Sequence, residues 1–236
     1  MIDVSPLIHR LRGLTEAVDH FHAEPNAENL DAIWNNGGPT KLLRELVTSH
    51  AVSFTKDDVN LWKPTQQLPS EHSLESSWSG ITATMELYMH SVLNILNRGE
   101  PIEFQLLYHV ALITKEDIWN TRDDMEGNHG TRRQSLWLWK VFIGLLALSK
   151  RQNSLMARQM KPGSDRPIES PSKAHIGVIY EWLCDCARGW SMTTKIRLWK
   201  DVKAVLTTIT WPIELPGDVS DHVANVWNKS ILERDA

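Results

Sequence analysis

Two short motifs place side chains of metal-binding type close together in the sequence. His20 and His22 are separated by one residue, and so are Cys184 and Cys186. Residues two apart on a helix point in different directions, whereas the ligands of a helical zinc site stand four apart. The cysteine pair also lacks the second cysteine pair or the matched histidine that would complete a structural zinc site. We therefore predict no metal site, and we interpret the cysteines as buried thiols in a reducing compartment.

An acidic run, Asp123-Asp124-Met125-Glu126, resembles the metal-binding motif of terpene synthases, which are also all-helical. That motif needs a third acid at a different spacing and a second metal-binding triad, and this sequence contains neither. Arginines flank the run at positions 122, 132 and 133. We therefore interpret the run as a solvated acidic turn and not as a catalytic metal site.

The sequence contains no motif for phosphate binding or nucleophilic catalysis. Gly37-Gly38 and Gly127 lack the flanking strand and the lysine of a phosphate-binding loop. Ser79-Gly80 lacks the glycine two residues upstream that a nucleophile elbow requires. We therefore predict no cofactor and assign no catalytic residue. If the chain is an enzyme, His90 and His109 are the candidate acid–base groups; their simpler interpretation is as solvated or hydrogen-bonded histidines.

The elements that must position these side chains are helical. Gly99 ends one such helix, and Pro101 begins the next. We find no convincing strand and no repeat, so the sequence predicts an all-α fold. Apolar residues recur at steps of three and four, the spacing of one helix face, over 7–21, 85–96, 104–112, 176–190, 196–209 and 219–227.

One segment, 136–148, is apolar around the whole circumference of a helix except at Lys140. Such a helix is favourable only when it is fully enclosed, so we predict that it is the buried central helix. It is too short to cross a bilayer, which needs about 20 apolar residues, and we expect no membrane contact. Around it we predict a single multi-helix bundle of about nine or ten helices, formed by residues 1–236.

Two proline-containing segments interrupt the helical pattern and are predicted to be flexible loops. The first, 55–73, contains Pro64 and Pro69, and the second, 161–172, contains Pro162 and Pro171 among others. A loop as long as the first is unusual inside a compact domain. We interpret it either as a functional cover or as a poorly ordered linker.

The composition excludes some classes of function without identifying one. The chain carries 25 Lys and Arg against 29 Asp and Glu, a net charge of −4, whereas stand-alone nucleic-acid binders usually show a basic excess. Segment 1–14 has no continuous apolar core and does not look like a secretory signal, so we expect an intracellular protein. The 11 Trp, against 3 Tyr and 4 Phe, indicate either a tryptophan-rich core or an aromatic pocket.

The second half of the sequence resembles the regulatory region of fungal zinc-cluster transcription factors. The run Trp137-Leu138-Trp139-Lys140-Val141-Phe142-Ile143-Gly144 is similar to the leucine- and tryptophan-rich helix of that region. In the family, a variable linker and an aromatic helix follow, and then a segment with three spaced tryptophans. The residues that match this core motif are Trp137, Trp139, Phe142, Trp199, Val202, Leu206, Trp211 and Trp227. The resemblance covers roughly 73–227.

The resemblance implies a stand-alone regulatory or interaction domain in the nucleus or cytoplasm. Such a domain would act through a protein partner or a homo-oligomer, or by sensing a small apolar ligand. The zinc-cluster DNA-binding domain of the family needs six closely spaced cysteines with basic neighbours, and this chain has 2 Cys. We therefore expect no direct sequence-specific DNA binding.

The alternative function is an enzyme of fungal secondary metabolism, of cyclase or isomerase type, built on the same helical fold. Aromatic walls can hold a polyene or stabilise a cation, and such chemistry needs few acid–base groups and leaves no motif. A closed apolar cavity with a His, Asp or Glu pointing into it would favour the enzyme. A filled core with an exposed apolar face would favour partner binding.

Two tryptophans near the end of the motif are predicted to have structural roles. Trp199 lies on the apolar stripe of its helix and should pack against helix 136–148. Trp211 precedes Pro212, and the residue before proline disfavours helical geometry, so the helix should end there. We predict that Trp211 closes the bundle at the turn into the last helix, beside Trp227.

Overall fold

A computed structural model describes residues 1–34, 74–95, 102–126, 131–159, 171–215 and 217–232, with the single positions 38, 41, 42, 44, 45 and 48. Nine helices and one pair of short strands lie within these residues. The prediction of an all-α helical bundle is therefore confirmed. The loop predicted at 55–73 lies outside the described residues, as does most of the loop predicted at 161–172.

The helices account for nearly all of the regular structure. In chain order they are α1 (Ser5–Ala23), α2 (Ala27–Trp34), α3 (Trp78–Ser91), α4 (Phe104–Asn120), α5 (Asp123–Glu126), α6 (Arg132–Gln159), α7 (Pro171–Thr194), α8 (Trp199–Thr207) and α9 (Gly217–Ile231). The two strands are β1 (Ile2–Asp3) and β2 (Glu75–Ser76).

The strands form one short antiparallel pair, in which Ile2 lies opposite Ser76 and Asp3 opposite Glu75. The expectation that the chain has no strand is wrong at this point, because two residues are too few to show the alternation that identifies a strand. The backbone N–H of Val4 extends the pairing by donating to the carbonyl of Leu74 at 2.8 Å. The pair ties the start of α1 to the start of α3.

Helix α6 is the centre of the bundle, as the sequence predicts. Every residue from 136 to 148 is buried, and α6 packs against α3, α4, α5, α7, α8 and α9. Helix α7 approaches closely at Gly144, where an added Cβ would lie 3.0 Å from a methyl group of Leu183. Enclosure on all sides is what allows a helix with no polar face to be stable.

Three element boundaries differ from the prediction. Helix α4 begins at Phe104 and not at Pro101, because the carboxylate of Glu103 caps it by accepting from the N–H groups of two residues in its first turn. Helix α7 begins at Pro171, inside the predicted loop, since proline at a first helical position sacrifices no helical hydrogen bond. The acidic run predicted as a turn forms the short helix α5.

Candidate functional site

The tryptophan-rich motifs that carry the family resemblance meet in the centre of the bundle. The ring of Phe142 on α6 lies at their centre, with centroid distances of 5.2 Å to Trp199, 5.8 Å to Trp211 and 6.0 Å to Trp227. The packing of Trp199 against α6 is therefore confirmed. The other two motif residues on α8, Val202 and Leu206, are fully buried. Of the two interpretations of the tryptophan content, these residues support the tryptophan-rich core.

Two motif tryptophans on α6 anchor neighbouring segments through their indole N–H groups. Trp139 donates to the carbonyl of Thr210 at 2.9 Å, at the turn after α8. Trp137 donates to the carbonyl of Ile118 in α4 at 3.0 Å. Both indoles are buried, so each hydrogen bond satisfies a donor that would otherwise be costly to desolvate. These bonds fix α6 in position relative to α4 and the α8–α9 turn.

Trp211 is buried at the turn into α9, as predicted, but its neighbours differ from those expected. Its ring contacts Tyr88, at a centroid distance of 6.5 Å, as well as Phe142 and Trp199. Its predicted neighbour Trp227 also contacts Phe142, so Phe142 bridges the two tryptophans. The buried indole N–H of Trp211 has no hydrogen-bond partner among the described residues.

A buried ion pair lies at the one charged position of the central helix. The ammonium group of Lys140 is 2.7 Å from Oδ2 of Asp117 on α4 and 3.1 Å from the hydroxyl of Thr121. Both charged side chains are only 1% exposed. The sequence signal was the single lysine in an apolar run, but its partner could not be identified because it comes from another helix.

The carboxylate of Asp117 also receives the chain that leads into α3. Oδ2 accepts from the hydroxyl of Ser76 at 2.8 Å, and Oδ1 accepts from the N–H and the hydroxyl of Ser77 at 2.9 and 2.6 Å. The side chain of Ser77 in turn caps α3 by accepting from the N–H of Gly80. A Cβ at Gly80 would lie 2.1 Å from Cγ of Asp117, so only glycine fits there.

The electrostatics of this cluster favour an ionised Asp117. Burial by itself would raise the pKa of Asp117, but the charge of Lys140, its hydrogen bond and the hydrogen bonds from Ser77 outweigh burial. The net effect holds the pKa below its ordinary value. Because the carboxylate is saturated with donors and enclosed, it has no access to a substrate. The cluster is a structural anchor that joins β2, α3, α4 and α6.

A second buried polar network lies between α1, α3 and the turn after α8. The hydroxyl of Thr15 is 3.0 Å from those of both Tyr88 and Thr210. Burial raises the pKa of Tyr88 far above its ordinary value, so the phenol stays neutral. One turn further along α1, Asp19 accepts from the backbone N–H of Ile213 at 2.9 Å. Burial raises the pKa of Asp19 as well.

The two candidate catalytic histidines are not placed in a recognisable active site. His109 lies on the exposed face of α4, next to Tyr108. His90 is half-buried in the last turn of α3, and its Nδ1 has no hydrogen-bond partner within the described part of the chain. His20 and His22 lie in the last turn of α1, where a cation interacts favourably with the helix dipole. Among the described residues no group of three or more His, Cys, Asp or Glu could hold a metal ion.

An open groove of about 270 Å³ lies where α4, α5, α6 and α7 meet. Its walls are mainly apolar and aromatic, and we call it the aromatic groove. The residues that define it are Trp119, Arg122, Trp137, Trp182, Cys186 and Gly189, with Ile118, Met125 and Asp185 at their side. The sequence analysis assigned Trp137 to the family motif but did not identify the groove, because its walls come from separate helices.

The two main walls of the aromatic groove are helix stripes that continue beyond it. On α4, Leu112, Lys115 and Trp119 follow at helical spacing, and on α7 Val178 and Trp182 do so. The ammonium group of Lys115 lies 5.3 Å from the ring centroid of Trp182, which links the two stripes. Leu112, Trp119 and Val178 are 36%, 54% and 63% exposed. The groove is therefore part of a larger apolar surface.

The two cysteines are free thiols on α7, and one of them lines the groove. Cys184 is buried, as predicted, whereas Cys186 is half-buried. Burial raises the pKa of Cys186 to about 12 and that of Cys184 to about 11. Since the thiolate is the reactive form, both groups stay protonated and unreactive near neutral pH. The groove thus offers an apolar binding surface and not a nucleophile.

Comparisons with known proteins do not add a relative. No protein-family model matches this chain, and neither the curated proteins nor the solved structures contain a match. The resemblance to fungal regulators therefore rests on the motif residues alone. None of the helices in the described part of the chain is long and apolar enough to cross a membrane.

Proposed function

We propose that this chain is a regulatory interaction domain, of the type that its second half resembles, and that it docks a partner protein at the aromatic groove. The observation that carries the proposal is an exposed tryptophan surface beside a packed aromatic core. Trp119 is 54% exposed, although exposed tryptophan is costly unless it serves binding. The motif residue Trp137 lines the groove and is bonded to α4, which connects the family motif to this surface.

The extent of the surface favours a partner protein over a small apolar ligand. A volume of about 270 Å³ lies just below the range of about 300–1,000 Å³ that small-molecule sites occupy. The apolar stripes of α4 and α7 extend past it through Leu112 and Val178. Tryptophan and arginine dominate the energetic centres of protein interfaces, and Trp119 carries the guanidinium of Arg122 at 4.6 Å from its ring centroid. An apolar helix of the partner fits such a surface.

The regulatory part of the proposal rests on the sequence resemblance. With a net charge of −4 and 2 Cys, the chain lacks the composition of a zinc-cluster DNA reader. It would act in the nucleus or cytoplasm by binding a second protein or another copy of itself. The enzyme alternative has less support, because neither His90 nor His109 is among the described residues that line the aromatic groove.

Gly189 allows the groove to be blocked without disturbing the fold. A Cβ at Gly189 would meet no described atom within 4 Å, so leucine at this position would extend into the groove. Replacing a helical glycine also removes a propensity cost of about 1 kcal/mol. Gly177 is a matched control, because it lies on the same helix, has the same open surroundings and does not line the groove.

The test has a functional and a physical part. The chain is tethered to a heterologous DNA-binding domain and reporter transcription is measured; a photo-crosslinking residue at Trp119 then identifies the bound protein, whose affinity is measured after purification. We expect Gly189→Leu to abolish the reporter effect and weaken the partner at least about tenfold, while Gly177→Leu changes neither. An unchanged reporter effect and affinity in Gly189→Leu would refute docking at the groove.

A further inference from the structure

A second concavity, of about 420 Å³, lies along the outer face of α1. Its lining combines side chains of α1 and α2 with Gly38 and Lys41, and we call it the basic pocket. The charged side chains that line it are Arg10, Arg12, Glu16 and Lys41, and His9 lies at its edge as well. The proposed docking function does not involve these residues.

The charge of the basic pocket is opposite to that of the whole chain. Three cations, Arg10, Arg12 and Lys41, face one anion, Glu16, whereas the chain has a net charge of −4. Arg10 lies 3.8 Å from Glu45, but both side chains are partly exposed, so this pair is weak and screened. A concave site with a local excess of cations concentrates anions.

Arg12 is the most firmly held of the three cations. Its Nε donates to the carbonyl of Ile209 at 3.1 Å, and its Nη2 donates to the carbonyls of Thr208 and Ile209 at 2.7 and 2.6 Å. These carbonyls follow the end of α8 and neutralise the guanidinium only in part. A cation that is already fixed loses little side-chain entropy when an anion binds to it.

The remaining wall of the basic pocket is small and apolar. Leu14, Ala17 and Ala32 line it, and a Cβ at Gly13 would meet no described atom within 4 Å. A free inorganic anion would leave this apolar wall unused, and a neutral apolar molecule would leave the cations unpaired. The lining therefore matches a molecule with an anionic head and a compact apolar body.

We propose that the basic pocket binds a small amphiphilic organic anion, with a carboxylate or phosphate head group at Arg10, Arg12 and Lys41. The apolar body lies over Gly13 against Ala17. This site is separate from the aromatic groove in both chemistry and location on the chain, so either proposal can fail without the other.

The experiment compares four probes by titration calorimetry with the full chain: octanoate, octyl phosphate, octanol and inorganic phosphate. We expect octanoate or octyl phosphate to bind, with an affinity that falls as salt is added, and the better of the two identifies the head group. Octanol and inorganic phosphate should each bind at least about tenfold more weakly, because each supplies only half of the recognition.

Two variants locate the site. Gly13→Leu fills the pocket from an exposed helix position, and Arg10→Gln combined with Lys41→Gln removes two exposed cations; each should weaken the better anion at least about tenfold. Gly189→Leu, which blocks the aromatic groove, should bind the anion as the unmodified chain does. Equal binding of octanol, no binding of either amphiphilic anion, or unchanged binding by Gly13→Leu would each overturn the proposal.

Discussion

At the scale of single residues, Lys140 tests whether the buried ion pair holds the bundle together. Replacing it with methionine preserves the apolar stem but leaves the carboxylate of Asp117 buried without its cation. We expect Lys140→Met to lower the free energy of unfolding by about 3–5 kcal/mol, measured by urea denaturation at neutral pH. Adding Asp117→Asn removes the uncompensated charge and should restore part of the loss. A loss below about 1 kcal/mol would show that the pair is dispensable.

Gly80 tests the close approach of α3 to Asp117. A methyl group there would lie 2.1 Å from Cγ of Asp117, so one of the two helices must move. We expect Gly80→Ala to lower the free energy of unfolding by about 3 kcal/mol, seen as a lower melting temperature. Gly177→Ala is the control, since its surroundings are open and the change should stabilise the helix by up to about 1 kcal/mol. Similar effects of the two changes would contradict the close contact.

At the scale of elements, Phe142 connects α6 to three aromatic rings from other segments. Because its side chain is fully buried among them, truncation leaves a cavity as well as lost contacts. We expect Phe142→Ala to reduce the free energy of unfolding by about 3–5 kcal/mol. Trp119→Ala, at an exposed ring of the groove, should cost less than about 1 kcal/mol and serves as the control. Equal losses would place Phe142 outside the core.

The turn between α8 and α9 offers a matched pair of tryptophans. Trp139 donates to Thr210 in this turn, whereas the indole N–H of Trp211 has no partner among the described residues. Phenylalanine removes a hydrogen bond at the first position but only ring area at the second. In chemical denaturation, we expect Trp139→Phe to cost about 1 kcal/mol more than Trp211→Phe. The reverse order would mean that the N–H of Trp211 serves a ligand or partner.

At the scale of the whole molecule, two buried carboxylates give opposite pH dependences. The pKa of Asp117 is lowered on folding, so its stabilisation is present above its unfolded value of 3.8 and is lost as the pH falls through the folded value. The pKa of Asp19 is raised by burial, so its ionisation destabilises the fold as the pH rises through that folded value. Acid unfolding therefore reflects Asp117 and not Asp19.

We expect Asp19→Asn to stabilise the protein near neutral pH, since the amide oxygen can still accept from Ile213 while the buried charge is gone. The difference should vanish below pH 3.8, the unfolded pKa of Asp19, where the aspartic acid is also neutral. Urea denaturation of both proteins over a series of pH values measures this. A difference that is constant with pH would show that ionisation of Asp19 is not its cause.

The helices of the chain follow from the sequence, because the periodicity of apolar residues is a local property. Segment 136–148 is apolar on every side, and full enclosure is the one arrangement that makes such a helix stable. The strand pair and the start of α7 at Pro171 were missed, since a two-residue strand has no period and proline is compatible with both a loop and a first helical turn.

Which faces meet was decided only by the tertiary structure. Periodicity identifies an apolar face but not its partner, so Lys140 did not reveal its bond to Asp117, 23 residues earlier. The aromatic groove likewise needs Trp119 from α4 and Trp182 from α7 side by side. Thr15 and Thr210, 195 residues apart, meet in one buried network. Such contacts depend on how helices pack in three dimensions, and no single segment contains that information.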